Sequence, residues 1–165
     1  MDTITKANKT CRTNGAVGKN AIIPRLVAAF IESFRAIPKD FTVLDFGAGT
    51  NAIHAKALEK QFPDIIVDAY DFGDNSNENH IREIKTHKYD LIYASNVFNT
   101  HSNLQMSLDA LASIFWGLKQ GGTFIVNLPE SPRYFHDNKT FNNILNQYFS
   151  TVNKGEKKNT WVCIK

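Results

Sequence analysis

The run Val43-Leu44-Asp45-Phe46-Gly47-Ala48-Gly49-Thr50 constrains this chain more than any other segment. Phe41 to Phe46 is a short apolar stretch that breaks at Gly47-Ala48-Gly49, the pattern of a buried strand entering a tight turn. Glycines at 47 and 49 let the backbone turn sharply and approach a ligand with no Cβ in the way. Asn51 to Gln61, carrying Ala52, Ile53, Ala55, Ala57 and Leu58, follows as a helix and stops before Pro63. Such a helix offers its N-terminal N–H groups at the same spot. Strand, glycine turn and helix in direct succession open a parallel α/β sheet.

The rest of the chain continues that alternation. Ile23, Leu26, Val27, Phe30, Ile31 and Phe34 lie on one helical stripe, with Asn20 as a candidate N-cap, Pro24 in the first turn and Pro38 beyond the end. Ile65–Asp71 and Asp90–Ser95 read as buried strands, with a polar stretch and a short helix near Ile81–Thr86 between them. The spacing predicts a further helix over Asn103–Leu118, capped by Gly121-Gly122, then a strand over Thr123–Leu128 stopped by Pro129. A helix over Phe141–Tyr148 precedes two last strands, Phe149–Val152 and Thr160–Ile164, joined by the polar turn Asn153–Asn159. The fold class is therefore α/β: a three-layer, doubly wound, mostly parallel sheet that closes with an antiparallel hairpin. Residues 1–19 lack apolar periodicity and read as a flexible arm, leaving 20–165 as one domain.

Composition limits the function classes. A chain of 165 residues that is 42% hydrophobic and 21% charged suits one ordinary globular core. No apolar run reaches the roughly 18–20 residues that span a bilayer, and the N-terminus has no apolar signal core. Cys11 and Cys163 make neither a disulfide framework nor a zinc cluster, so a reducing cytoplasm is expected. The net charge is only +3, but Lys6, Lys9, Arg12, Lys19 and Arg25 cluster early and Lys154, Lys157, Lys158 and Lys165 cluster late. Basic ends on one face would attract nucleic-acid phosphates; otherwise they are solubilising ends. Homo- or hetero-oligomers are both open.

Asp45, two residues before the first glycine, adds chemistry to the turn. A carboxylate beside a glycine loop suits an amine-bearing ligand better than a pyrophosphate. The run resembles motif I of class I S-adenosylmethionine-dependent methyltransferases, hydrophobic-hydrophobic-Asp-x-Gly-x-Gly, and the resemblance extends through the element order from about residue 20 to the final hairpin. It implies that Gly47, Ala48 and Gly49 lie under the methionine part of S-adenosylmethionine and that Asp45 orients its amino group. Asp71, 24 positions after Gly47 at the end of the next strand, can accept both ribose hydroxyls, with Asp68 as the fallback. Lys19 and Asn20 could close over the cofactor. Gly47 to Ala52 also passes as the G-x-G-x-x-A of a dinucleotide dehydrogenase, but Asp45 would face a pyrophosphate unfavourably and the terminal hairpin suits the methyltransferase topology.

The family places the acceptor beyond the strand Asp90–Ser95, which selects Ser95 beside the cofactor and Asn96, Asn99 and His101 as catalytic candidates, with Phe98 and Thr100 in the same loop. Positioning supplies much of the acceleration in an in-line displacement; a base matters only for a nucleophile that holds its proton tightly. His101 is the loop's candidate base. Asn96 and Asn99 can bind an acceptor amide or base edge, or cap the helix that follows. The aromatic-ended Asn96-Val97-Phe98-Asn99 lacks the prolines of amino-methyltransferase motifs, the loop has no nucleophilic cysteine, and Ser95 and Asn96 stand where ribose methyltransferases need an Asp. Arg133, Tyr134 and His136 form a second candidate acceptor surface. Asp90 follows Asp71 by only 19 positions, too few for the strand and two helices the family fits there. The edge strand is then lost or irregular, and Asp74, Asn75 and Asn77 could supply adenine contacts. The resulting reading is a methyltransferase with an unidentified acceptor, nucleic acid or small molecule; a catalytically inactive partner subunit and an enzyme that consumes the cofactor otherwise remain the alternatives.

Overall fold

The computed structural model describes residues 21–129, 137–157 and 159–165. In chain order the elements are α1 (Ile22–Glu32), β1 (Thr42–Phe46), α2 (Ile53–Gln61), β2 (Ile66–Tyr70), β3 (Tyr89–Ala94), α3 (Leu104–Gly117), β4 (Leu118–Asn127), α4 (Asn138–Tyr148), β5 (Thr151–Lys154) and β6 (Thr160–Ile164). Short 3₁₀ turns at Gly73–Asn75 and Phe98–Thr100 follow β2 and β3. The strands form one sheet in the order β2-β1-β3-β4-β6-β5. β1 pairs in parallel with β2 and β3, β3 pairs in parallel with β4, and β6 runs antiparallel to both β4 and β5.

Period-2 alternation sorts the strand residues onto two faces. Val43 of β1, with Leu91, Tyr93 and Ile125, packs under Ile23, Val27 and Ile31 of α1 and Ala55 and Leu58 of α2. Leu44 and Phe46, with Ile92, Phe124 and Trp161, pack under Leu111 and Ile114 of α3 and Phe141 and Leu145 of α4. Helices on both faces make the three layers, and each large aliphatic or aromatic side chain so enclosed stabilises by about 1.5–3 kcal/mol before entropy is counted. No described helix is long and apolar enough to cross a membrane.

The open alternative for the edge strand resolves to its loss, and two expectations change. Between β2 and β3 the described chain forms no additional strand, so β2 is the sheet edge. Nor do Ile81–Thr86 form a helix: they run as bends, Ile81 N–H donating to Ala69 O of β2 at 2.8 Å, while Ile81 and Ile84 pack on the core. Gly121-Gly122 does not cap α3, which already ends at Gly117. Other groups cover that helix end. His87 and Lys88 N–H donate to Trp116 O and Gly117 O, and Lys165 Nζ donates to Phe115 O and Leu118 O at 2.6 and 2.9 Å. Gly121, at φ 75°, instead lies inside β4, within the register shift between Leu118 (opposite Tyr89) and Thr123 (opposite Leu91). Asn20 lies outside the described residues, so α1 is seen from Ala21, with Pro24 in its first turn as expected.

Candidate functional site

Parallel strands bring the ends of β1, β2 and β3 to one side of the sheet, and the sequence-selected residues gather there. Gly47 and Gly49 both take left-handed angles, φ 76° and 72°. Gly47 and Ala48 N–H donate to Tyr70 O at 2.8 and 3.0 Å, which ties the turn to β2. Space sets the two glycines apart. A Cβ on Gly47 would meet Val97 Cγ2 at 2.5 Å, whereas one on Gly49 would meet nothing within 4 Å. The turn is therefore closed on the Val97 side and open above Gly49. α2 starts directly afterwards from Ala52, itself left-handed at φ 47°.

Asp71 is joined to that turn. Its Oδ2 accepts from Gly49 N–H at 2.7 Å and its Oδ1 from Phe72 N–H at 2.8 Å. The carboxylate is only 2% exposed. Burial raises its pKa, while the Phe72 and Gly49 amides act in the opposite direction. Each oxygen retains accepting capacity beyond one hydrogen bond. Asp68, the fallback, is engaged elsewhere: it pairs with Lys88 and accepts from Tyr89 Oη.

Asp45 sits deeper than a carboxylate simply flanking the loop. Its side chain points to the α1/α2 face, is 2% exposed, and accepts from the hydroxyl of Tyr93, its register partner on β3. Its Oδ2 has no hydrogen-bond partner. Burial pushes its pKa up to about 7, the Tyr93 hydroxyl opposes that rise, and the nearby Asp71 charge adds to it. Asp45 is thus a buried acid with one open acceptor position.

The 73–80 segment folds back over the turn where a strand and its helices are missing. Asn75 is fully buried, and its Oδ1 accepts from Thr50 Oγ1 at 3.3 Å. Its Nδ2 faces the Asp71 carboxylate without a completed hydrogen bond. Asn77 Nδ2 donates to Thr50 O at 2.8 Å. Lys56 of α2 donates to Asn79 Oδ1 at 2.8 Å, and His80 Nε2 lies 2.9 Å from Gly49 O. Asn75 and Asn77 were legible as candidates; Asn79 and His80 were not. Their only signal is the dense run Asn75-Ser76-Asn77-Glu78-Asn79-His80, which looks like loop until its partners are known.

On the acceptor side, Ser95 and Asn96 are half-buried just past β3. Asn96 takes φ 56°, and its N–H donates to Asn127 Oδ1 at 2.8 Å. Asn127 Nδ2 donates back to Asn96 Oδ1 at 2.7 Å. This reciprocal pair locks the ends of β3 and β4 together. Asn127, read from sequence only as part of a strand, is a missed site residue whose signal was a polar side chain closing an apolar run. Phe98 anchors the loop in the core, its ring centroid 5.0 Å from that of Phe141. Asn99 is half-buried with an unpartnered Oδ1. Neither Asn96 nor Asn99 caps α3; Asn103 does, accepting from Met106 N–H at 3.0 Å.

His101 does not fit the role of base. It is 1% exposed, its Nδ1 lies 3.0 Å from Ser107 Oγ, and its ring packs edge-on against Phe98 at 4.9 Å. A general base must reach the acceptor's proton, and this imidazole is enclosed at the start of α3. Lys19, Asn20, Arg133, Tyr134 and His136 lie outside the described residues. Among the described residues no cluster of three or more His, Cys, Asp or Glu could hold a metal ion.

No family model matches the chain, and no curated protein matches it in sequence. Solved structures do match its fold. A SAM dependent methyltransferase from Aquifex aeolicus superposes with a TM-score of 0.60 at 16% identity, over 99% of this chain and 98% of that one. Phosphoethanolamine N-methyltransferase 2 of Haemonchus contortus, in complex with phosphomonomethylethanolamine and S-adenosylhomocysteine, gives 0.59 at 14% identity, over 91% of this chain. The match spans only 42% of that longer protein. A TehB-like SAM-dependent methyltransferase from Corynebacterium glutamicum gives 0.51 at 17% identity, over 90% of each chain.

Proposed function

We propose that this chain, which has the fold of the class I S-adenosylmethionine-dependent methyltransferases, binds S-adenosylmethionine at its glycine turn and transfers a methyl group to an acceptor held by the loop after β3. The observation that carries the reading is the left-handed Gly47–Gly49 turn at the end of central strand β1, open above Gly49 and joined to the Asp71 carboxylate. The residues present suit the cofactor. Space over Gly49 admits a close ligand, Asp45 Oδ2 is an unpartnered acceptor for an ammonium, and Asn75 Nδ2 is an uncompleted donor beside Asp71.

When bound, S-adenosylmethionine supplies an electrophilic methyl group on a sulfonium. Gly47, Ala48 and Gly49 give the backbone surface on which its methionine end rests. Asp45 would take the amino group, Asp71 would take the ribose hydroxyls with the acceptor capacity its two backbone bonds leave free, and Ser95, just past β3, would line the cofactor site. Asn96, held by Asn127, and Asn99 orient the acceptor. Orientation alone can remove much of the barrier to such a displacement. With His101 enclosed, the acceptor that suits this loop is one whose lone pair is already free, such as a neutral amine, and which needs no base. The basic residues at both ends of the sequence make nucleic acids the first acceptors to screen, ahead of small amines.

Calorimetric titration with S-adenosylmethionine and S-adenosylhomocysteine tests the reading on wild type, Asp71→Asn and Gly47→Val. Wild type should bind at about micromolar Kd, and both substitutions should weaken binding at least tenfold. A folded wild-type protein that takes up neither ligand would leave only the fold.

A further inference from the structure

Gly49 is held at both of its peptide groups. Its N–H donates to Asp71, and its carbonyl lies 2.9 Å from His80 Nε2. The other ring nitrogen fixes the chemistry of the second contact. Asn77 N–H points at His80 Nδ1 from 3.1 Å, and a backbone amide can only donate. Nδ1 must therefore carry the lone pair. A neutral imidazole has one donor and one acceptor, so the proton is on Nε2 and is donated to Gly49 O.

We infer that His80 is a positioning residue for the cofactor turn: as a neutral imidazole protonated on Nε2 it holds the Gly49 carbonyl, and a second proton on Nδ1 loosens the turn and weakens cofactor binding. The inference rests on reading the turn as the S-adenosylmethionine site. An imidazolium has two donors and no acceptor, so Asn77 N–H would lose its partner and face another N–H. Asn77 is also the residue whose Nδ2 holds Thr50 O at 2.8 Å. One protonation thus leaves the Nε2–H hold on Gly49 O in place but removes the acceptor that fixes Asn77, and with it the grip on the next carbonyl, Thr50 O.

The charges around the ring reinforce the sign. Asp71, at the end of β2, senses His80 electrostatically. An imidazolium drawn towards it would compete for the carboxylate that takes the ribose hydroxyls. From α2, Lys56 reaches this segment through Asn79. Asp74, Glu78 and Arg82 are the charged groups of the segment itself, and the turn between Gly47 and Asn51 contributes no titratable side chain. The sequence explains why this device arises here. With no strand and helix between β2 and β3, an Asx-rich loop must pack on the glycine turn directly, and its histidine lies at the point of contact.

The test combines ring spectra with calorimetry. In uniformly ¹⁵N-labelled protein near pH 7.5, the His80 ring should show the proton on Nε2. Between about pH 7.5 and about pH 5.5, wild-type affinity for S-adenosylmethionine should fall by about fivefold to tenfold more than that of His80→Gln, the effect of losing roughly one hydrogen bond. His80→Gln places an untitratable amide donor at the Nε2 position. Like the imidazolium, it gives Asn77 N–H no acceptor, so near pH 7.5 it should bind about fivefold to tenfold more weakly than wild type and near pH 5.5 about equally, whereas His80→Ala, which also gives up the hold on Gly49 O, should be weaker than His80→Gln at both. The glutamine variant leaves Asp45 in place, so any titration of that acid is common to both proteins. A ring proton on Nδ1, or the same pH dependence in wild type and His80→Gln, overturns the inference. If folded wild type binds no cofactor at any pH, the cofactor reading fails. The ring tautomer and a pH-driven shift of the Gly49 and Thr50 amides that is absent in His80→Gln then still decide the role of His80.

Discussion

Gly47→Ala isolates the demand that the turn makes on its first glycine. The residue is held at φ 76°, so any side chain pays the left-handed penalty of about 1–2 kcal/mol. The new Cβ would also lie 2.5 Å from Val97 Cγ2 and 3.2 Å from Cγ1. Valine is stiff about χ1 and cannot swing aside, so overpacking adds about 1–3 kcal/mol. The expected loss is about 3 kcal/mol, which for a chain of this length lowers Tm by roughly 6–12 °C. Gly49→Ala is the internal control, because it has φ 72° and open space where the Cβ would go. It should lose only the strain component of about 1–2 kcal/mol, or roughly 2–8 °C. Thermal and urea unfolding followed by circular dichroism measure both variants. Adding Val97→Ala to Gly47→Ala should recover part of the difference, a coupling that a double-mutant cycle reads directly. Equal losses for Gly47→Ala and Gly49→Ala would refute the contact with Val97, and a loss below about 1 kcal/mol for either would refute the strain argument.

Asp45 provides a pH signature. Its pKa is raised from 3.8 to about 7 by burial, so between those values the folded state binds the extra proton. This carboxyl should therefore make stability fall as pH rises from about 4 to about 7 and level off above; Tm measured across that range should fall more steeply in wild type than in Asp45→Asn, where the raised Asp71 carboxyl still contributes a slope of the same sign. Asn127→Ala removes two hydrogen bonds, at 2.8 and 2.7 Å, that fix Asn96. It should cost about 1–3 kcal/mol and reduce transfer to any acceptor while calorimetric cofactor affinity stays within about twofold. Lys165→Met deletes a cation that donates to Phe115 O and Leu118 O and lies 4.4 Å from the Phe115 ring centroid. A loss of about 1–3 kcal/mol in urea unfolding is expected, together with a change in the fluorescence of Trp116, whose ring lies 5.5 Å from that ammonium.

The sequence by itself determined the layers and the turn. Apolar runs at 41–46, 90–95 and 123–128 read as buried strands, and the structure has strands there within a residue or two, apart from the longer start of β4. Gly47 and Gly49 can only mark a backbone that needs left-handed angles, and the short span between Asp71 and Asp90 ruled out a full extra unit. These properties are local, set by period, propensity and chain length. Tertiary structure decided everything that depends on what a side chain meets. It enclosed His101 with Phe98 and Ser107, although its polar neighbours in sequence suggested an open loop. It moved the cap of α3 from Gly121 to a lysine 48 positions from the helix end. It joined Asn96 to Asn127 across two strands, and it bent a run of Asx residues back so that His80 meets Gly49. Hydrogen bonds between residues tens of positions apart leave no periodic trace, because polar pairing depends on direction and distance in space, whereas the hydrophobic pattern depends only on order along the chain.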